Sequence, residues 1–256
     1  MTPPCAWLPE AVRYDRDSVS GAEIEQLTNE PVTSTNIYCE QRYASADGSR
    51  IAIARHPFSL PPETWVCDLR SLRLQRMAQG TVVGANWKRN AVYYIPSDTD
   101  TARLMRLDLL DLSSREILAF DGPPPKVGAI APDESCFIGG PFPVRDNVYS
   151  LHRTDLTRGR TETLCEIEDM FNPHTQFEPG QGRQVMVQIN RGGRTDSTTG
   201  KSTLAGPLGS TLCLVDAVSG EQHALPVGRP HTTGITGHAC WAGDTGRIIF
   251  TGGIFN

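Results

Sequence analysis
One unit recurs along this chain: a short strand-like run, a turn, a mostly apolar run and then two more strand-like runs. Anchored on the turns at Asp47, Lys88, Asp133, Gly180 and Asp244, the steps are 41, 45, 47 and 64 residues. Three near-equal steps with four short runs apiece and no helical periodicity predict the blade repeat of a β-propeller. Aligned β-sandwiches share short strands and frequent turns but rarely repeat one unit at this period. The long fourth step has a visible cause in Arg191–Pro207, a polar, Gly-rich stretch of the kind inserted between strands of a blade.

Counting units gives an all-β chain of four complete blades plus half of a fifth, spread over residues 24–256, behind a Pro-rich leader at 1–23. Propellers close because open edges expose unpaired backbone, so the expectation is an incomplete, C-terminally truncated member of a larger propeller. Ile24–Leu27 would then be the outer strand of the closing blade.

Composition narrows the function classes. With 38% hydrophobic and 21% charged residues the chain reads as an ordinary globular protein. The net charge of -5 is uneven: residues 180–256 carry six Lys/Arg against four Asp/Glu, leaving 18 against 25 earlier in the chain. A mildly basic last third suits a small anionic substrate, whereas a nucleic-acid groove needs a denser basic stripe, so DNA and RNA are discounted. Seven scattered cysteines without a C-x-x-C pair point to buried thiols in a reducing compartment. No stretch reads as a secretory signal or a membrane span, so the expected location is cytoplasmic, with no membrane partner.

Two motifs carry the chemistry. Asn172-Pro-His-Thr-Gln-Phe-Glu-Pro179 and Thr236-Gly-His-Ala-Cys-Trp241 each put a histidine at the entrance of a short strand, in consecutive units. A lone histidine at such a place more often makes a local hydrogen bond than does chemistry. Two from neighbouring blades, aimed at one place, are a different matter.

These two motifs, together with Asn36-Ile-Tyr-Cys-Glu-Gln41 and the turn Ala46-Asp47-Gly48, resemble the oligogalacturonate lyase family across residues 24–256. The resemblance implies a seven-bladed propeller that cleaves short pectin-derived uronate oligosaccharides by β-elimination with a manganese-type divalent ion. By position it makes His174 the catalytic base and His238 a metal ligand. The family's other ligands, in a Gln-x-x-His-x-His run on a later blade, are not among these 256 residues. The expectation is therefore an incomplete Mn2+ site and weak or absent activity, because one imidazole does not hold a labile divalent ion against water. The family's catalytic arginine has no clear match: Ser150 falls near its place, and Arg153 is carried as the candidate.

Gln188 and Arg191, near the end of the strand after His174, are candidate substrate-binding residues; Arg191 and Arg194 could each clamp a carboxylate bidentately, though Arg194 reads more readily as part of a solvated loop. Tyr38 and Arg42, with Gln41, start an earlier blade at the equivalent place and are candidates for the same role. His56, His152, His223 and His231 read as structural or solvated. Thr195–Ser202 looks like a phosphate-binding loop but lacks its first glycine, and Gly206-Pro207 stands where a helix would begin. The alternative to a lyase is a non-catalytic propeller platform with structural histidines.

Overall fold
The computed structural model describes residues 6–14, 16–38, 40–97, 102–120, 127–195, 201–235 and 237–252. Cys39, Thr236, the centre of the phosphate-loop-like stretch at 196–200 and the last four residues lie outside them. The chain forms two compact units, residues 1–123 and 124–256.

The first unit opens with a hairpin of β1 (Val12–Tyr14) and β2 (Ile24–Gln26). Its ladder spans the 23/24 boundary drawn from the sequence. Just before it, the buried carboxylate of Glu10 accepts from Arg55 and from the Asn29 and Glu30 amides, tying the N-terminal segment to the first blade. Burial raises the Glu10 pKa, but these partners outweigh it and hold the carboxyl below its ordinary range. Arg55 in turn lies over the Trp65 ring at 4.4 Å.

The first blade is an antiparallel meander of β3 (Thr33–Asn36), β4 (Arg50–His56), β5 (Glu63–Asp68) and the first half of β6 (Arg73–Asn86). The second comprises the rest of β6 with β7 (Ala91–Pro96), β8 (Arg103–Asp108) and β9 (Ser114–Ala119). β6 is thus one strand that serves both blades in a seven-stranded sheet. Gly80 makes this possible: a Cβ there would meet the Ile95 carbonyl oxygen at 2.2 Å. β3 stops at Asn36, and pairing resumes at the Ala44–Ile51 bridge.

The second unit holds the third blade, β10 (Val127–Ile130), β11 (Cys136–Arg145), β12 (Val148–Asp155) and β13 (Thr161–Glu168). The fourth is β14 (Gln176–Phe177), β15 (Gln184–Asn190), β18 (Ser210–Asp216) and β19 (Gln222–Ala224), with the small ladder β16 (Arg194–Thr195) and β17 (Ser202–Thr203) inside the long β15–β18 connection. A last hairpin, β20 (Cys240–Trp241) with β21 (Ile248–Ile249), begins a fifth. Strand alternation sorts the side chains of β15. Val185 and Val187 face a core shared with Ile138 and Leu151 of the third blade. Met186 faces the opposite way, into a core with Leu212, Ile235 and Ala239 against Trp241.

Each complete blade closes its third-to-fourth strand turn in one way. Asp68, Asp108, Asp155 and Asp216 each accept from the backbone N–H groups two and three residues on, at 2.8–3.3 Å. Cys67 and Cys165 sit inside these sheets, where burial pushes both thiols up to about 11. Among the described residues no helix is long and apolar enough to cross a membrane.

Candidate functional site
His174 and His238 occupy the same place in consecutive blades of the second unit, each two residues before the first strand, β14 or β20. Both take left-handed backbone, φ 48° and 60°. For a residue with a Cβ that costs about 1–3 kcal/mol and persists only where the surroundings impose it.

The His174 loop is pinned to β15. Asn190 N–H donates to the Asp169 carbonyl at 2.8 Å, Asn172 N–H to Asn190 Oδ1 at 3.0 Å, and Gln188 N–H to the Pro173 carbonyl at 2.6 Å. The chain leaves this pinned segment at His174 and enters β14 with Thr175 and Gln176 buried. The His238 loop is set by a close backbone crossing. Gly209 and Gly234 approach so nearly that a Cβ on Gly209 would meet the Gly234 Cα at 2.8 Å. Ile235 bridges to Ser210, and Gly237, φ 90°, delivers the chain to His238.

Gln176 joins the two entrances. Its buried side-chain amide donates to the Ala239 carbonyl at 2.7 Å and to the His174 carbonyl at 3.4 Å, and its own carbonyl accepts from Trp241 Nε1 at 3.4 Å. So held, the two imidazoles meet edge to face with centroids 5.4 Å apart, and a ring nitrogen of one lies within 4.8 Å of a ring nitrogen of the other. His174 is half-buried and His238 exposed. The Asn172 side-chain amide sits 2.7 Å from His174 Nε2 and so governs the tautomer. Asn172 Nδ2 is the atom in contact, so its N–H donates to the Nε2 lone pair and the ring proton is on Nδ1.

Gln188 contributes a further donor. It is buried, its Oε1 has no hydrogen-bond partner, and a Cβ at Gly237, beside His238, would stand 3.6 Å from that oxygen. A buried amide oxygen left unpaired costs about 1–3 kcal/mol, so an electrophile beside it would be stabilising. An imidazole nitrogen of His238 and the Gln188 oxygen are donor types that suit a first-row divalent ion, manganese included, and without His174 they make only a partial ligand set, as the sequence led one to expect.

Other residues singled out by sequence have contacts of their own. Arg191 donates to three backbone carbonyls, Gly209 at 3.0 Å, Arg229 at 2.6 Å and Leu208 at 2.7 Å, and so fastens the inserted loop instead of presenting a free fork to a carboxylate. Arg153, on β12 opposite Ile138, reaches Glu162 of the neighbouring strand at 3.6 Å. Its side chain is thus held in the third blade, and among the described residues no hydrogen bond or ion pair joins it to the histidine pair. Ser150 is buried with its hydroxyl 3.0 Å from His152 Nε2, and His152 stacks on Phe142, the structural role expected of it. Tyr38 and Arg42 belong to the first unit, where Arg42 lies over the Trp87 ring at 4.9 Å and Tyr38 is exposed. Sequence reading passed over Gln176 and Asn172 as site residues although both lie in the histidine motif; their two-residue spacing from His174 was the available signal.

No protein-family model and no curated protein sequence matches the chain. Among solved structures it is similar to an oligogalacturonate lyase in complex with manganese, at a TM-score of 0.67 and 16% sequence identity, covering 97% of this chain and 68% of that one. An oligogalacturonate lyase from Vibrio parahaemolyticus matches at a TM-score of 0.51 and 12% identity, covering 91% and 75%. The β-propeller domain of the Trilobed protease from Pyrococcus furiosus matches at 0.56 and 13%, covering 97% and 78%. At these identities the likeness is one of fold: the chain is an all-β propeller of the kind found in oligogalacturonate lyases.

Proposed function
We propose that this protein is a lyase-like propeller that cleaves short uronate oligosaccharides by β-elimination, with His174 as the base. The observation that carries this reading is the pairing of His174 and His238 at equivalent strand entrances, both in strained backbone and both steadied through Gln176. The fold likeness to two oligogalacturonate lyases, one in complex with manganese, supports it.

The chemistry sets the roles. β-Elimination from a uronate removes the C5 proton, breaks the C4–O bond and leaves a C4=C5 double bond conjugated with the carboxylate. A neutral imidazole suits that proton transfer near pH 7, and Asn172 orients it. His238 and Gln188 are the residues that would hold a divalent ion beside the base. When bound, such an ion supplies electrophilic stabilisation to the substrate carboxylate, whose charge grows as the proton leaves.

The test is the ultraviolet absorbance of the unsaturated uronate product, followed with oligogalacturonate and manganese for the natural chain and for His174→Ala. The natural chain should generate the chromophore only weakly, as its partial ligand set implies, and the variant should not generate it. Absence of the signal in both, or its persistence in the variant, removes the lyase reading and leaves a binding platform.

A further inference from the structure
A second concavity opens in the same unit, outside the histidine pair. This cleft of about 550 Å³ is lined by the β11–β12 hairpin from Pro143 to Asn147, by Tyr149 and Phe171, and by Arg194 of the inserted ladder. Its volume falls in the range of small-ligand clefts, roughly 300–1,000 Å³.

The cleft has a fixed frame. Asp169 N–H donates to the Asn147 carbonyl at 2.6 Å, holding the hairpin tip, while Asp169 Oδ2 accepts from Gly192 N–H at 3.1 Å, holding the loop that leads to Arg194. Phe171 and Tyr149 meet edge to face at 6.3 Å and make an aromatic wall. Burial raises the Tyr149 pKa, so its phenol stays a neutral hydrogen-bond donor. Arg145 is tied to Glu166 at 2.8 Å. Arg194 and Asp146 form no ion pair among the described residues, which leaves one guanidinium and one carboxylate available in the same cleft.

Those groups select a ligand with one carboxylate, several hydroxyls and an apolar face. A guanidinium binds the carboxylate, Asp146 and Asn147 accept from and donate to hydroxyls, and the aromatic wall covers the C–H face of a pyranose ring. We propose that the cleft is a subsite for a sugar acid, with Arg194 pairing its carboxylate and Tyr149 and Phe171 stacking its ring. The assignment rests on the uronate reading and extends it. Phe171 lies three residues before His174, so one pinned segment carries both a wall of the cleft and the imidazole.

Binding and turnover separate the two ideas. Calorimetric titration with saturated trigalacturonate and with neutral galactotriose is run without metal on the natural chain, Arg194→Ala, Arg194→Lys, Tyr149→Ala and His174→Ala. Turnover by the natural chain and Arg194→Ala is followed in parallel. The acid should bind and the neutral sugar should not; Arg194→Ala and Tyr149→Ala should each weaken binding by about tenfold or more, with partial recovery in Arg194→Lys. His174→Ala should still bind. Arg194 is exposed on a short ladder, so its variants keep the fold, as thermal unfolding will verify. Equal binding of both sugars, acid affinity in Arg194→Ala within about twofold of the natural chain, or no acid binding at all overturns the subsite. Arg194-dependent binding without turnover upholds the subsite and defeats only the catalytic reading.

Discussion

His174 and His238 share a position in consecutive blades and a left-handed backbone, yet the two are held differently. His174 is half-buried, with its segment hydrogen-bonded along β15 and its Nε2 against an amide. His238 is exposed at the end of a loop shaped by a glycine crossing, with the open side of Gly237 facing a buried amide oxygen. A fixed tautomer suits a group that must receive a proton at one atom. An exposed imidazole beside an unsatisfied oxygen suits one that captures an ion. The repeat thus supplies the same residue twice, and the flanking sequence gives each copy different surroundings.

The largest effect should come from the base. His174→Ala is expected to lower turnover by about 10²–10⁴-fold, read from product absorbance, while Arg191→Ala should act mainly on thermal stability. If the two variants lose turnover equally at unchanged stability, the division between site and scaffold is wrong. Asn172→Ala should cost about 10- to 100-fold in turnover by releasing the tautomer, with thermal unfolding little changed. Gln188→Leu separates the two histidines from the other side. Removing an unpaired buried oxygen should leave stability near that of the natural chain, yet manganese affinity by calorimetry should fall. Gln176→Leu strips the Ala239 carbonyl of its donor and should cost about 1–3 kcal/mol in denaturant unfolding.

The smallest effect concerns the fourth-blade turn. The Ser219 amide, then Arg183, hold the Asp216 carboxyl well below the usual carboxylate range. Its folded pKa is depressed, so the stabilisation is complete above the ordinary value near 3.9 and fades as pH falls through the folded value. Asp216→Asn should lower the melting temperature by about 2–4 °C at neutral pH and remove part of the acid sensitivity.

The turns were legible because they depend on local chemistry: Asp47-Gly48, Lys88-Arg-Asn90 and Asp133-Glu134 announce themselves within four residues. The four Asp clasps at the third-to-fourth strand turns are equally local, and they repeat blade by blade. What escaped the sequence needs distant partners. Nothing near Gly80 tells that the chain passes straight from one blade to the next, because the reason is the carbonyl of Ile95. Arg191 looks like a carboxylate clamp until the carbonyls of Leu208, Gly209 and Arg229 are in place around it. The two histidines were legible as a pair because the repeat puts them at one register. Gln176 was not, because its partner carbonyl at Ala239 lies in the next blade.

The undivided run of β6 has a mechanical meaning. A rod of fourteen residues with its two halves stitched into different blades leaves no slack between them, so neither blade can peel away without dragging on its neighbour. Amide exchange in the two should slow and quicken together, and a protease should find no foothold at Gly80 until both have come apart.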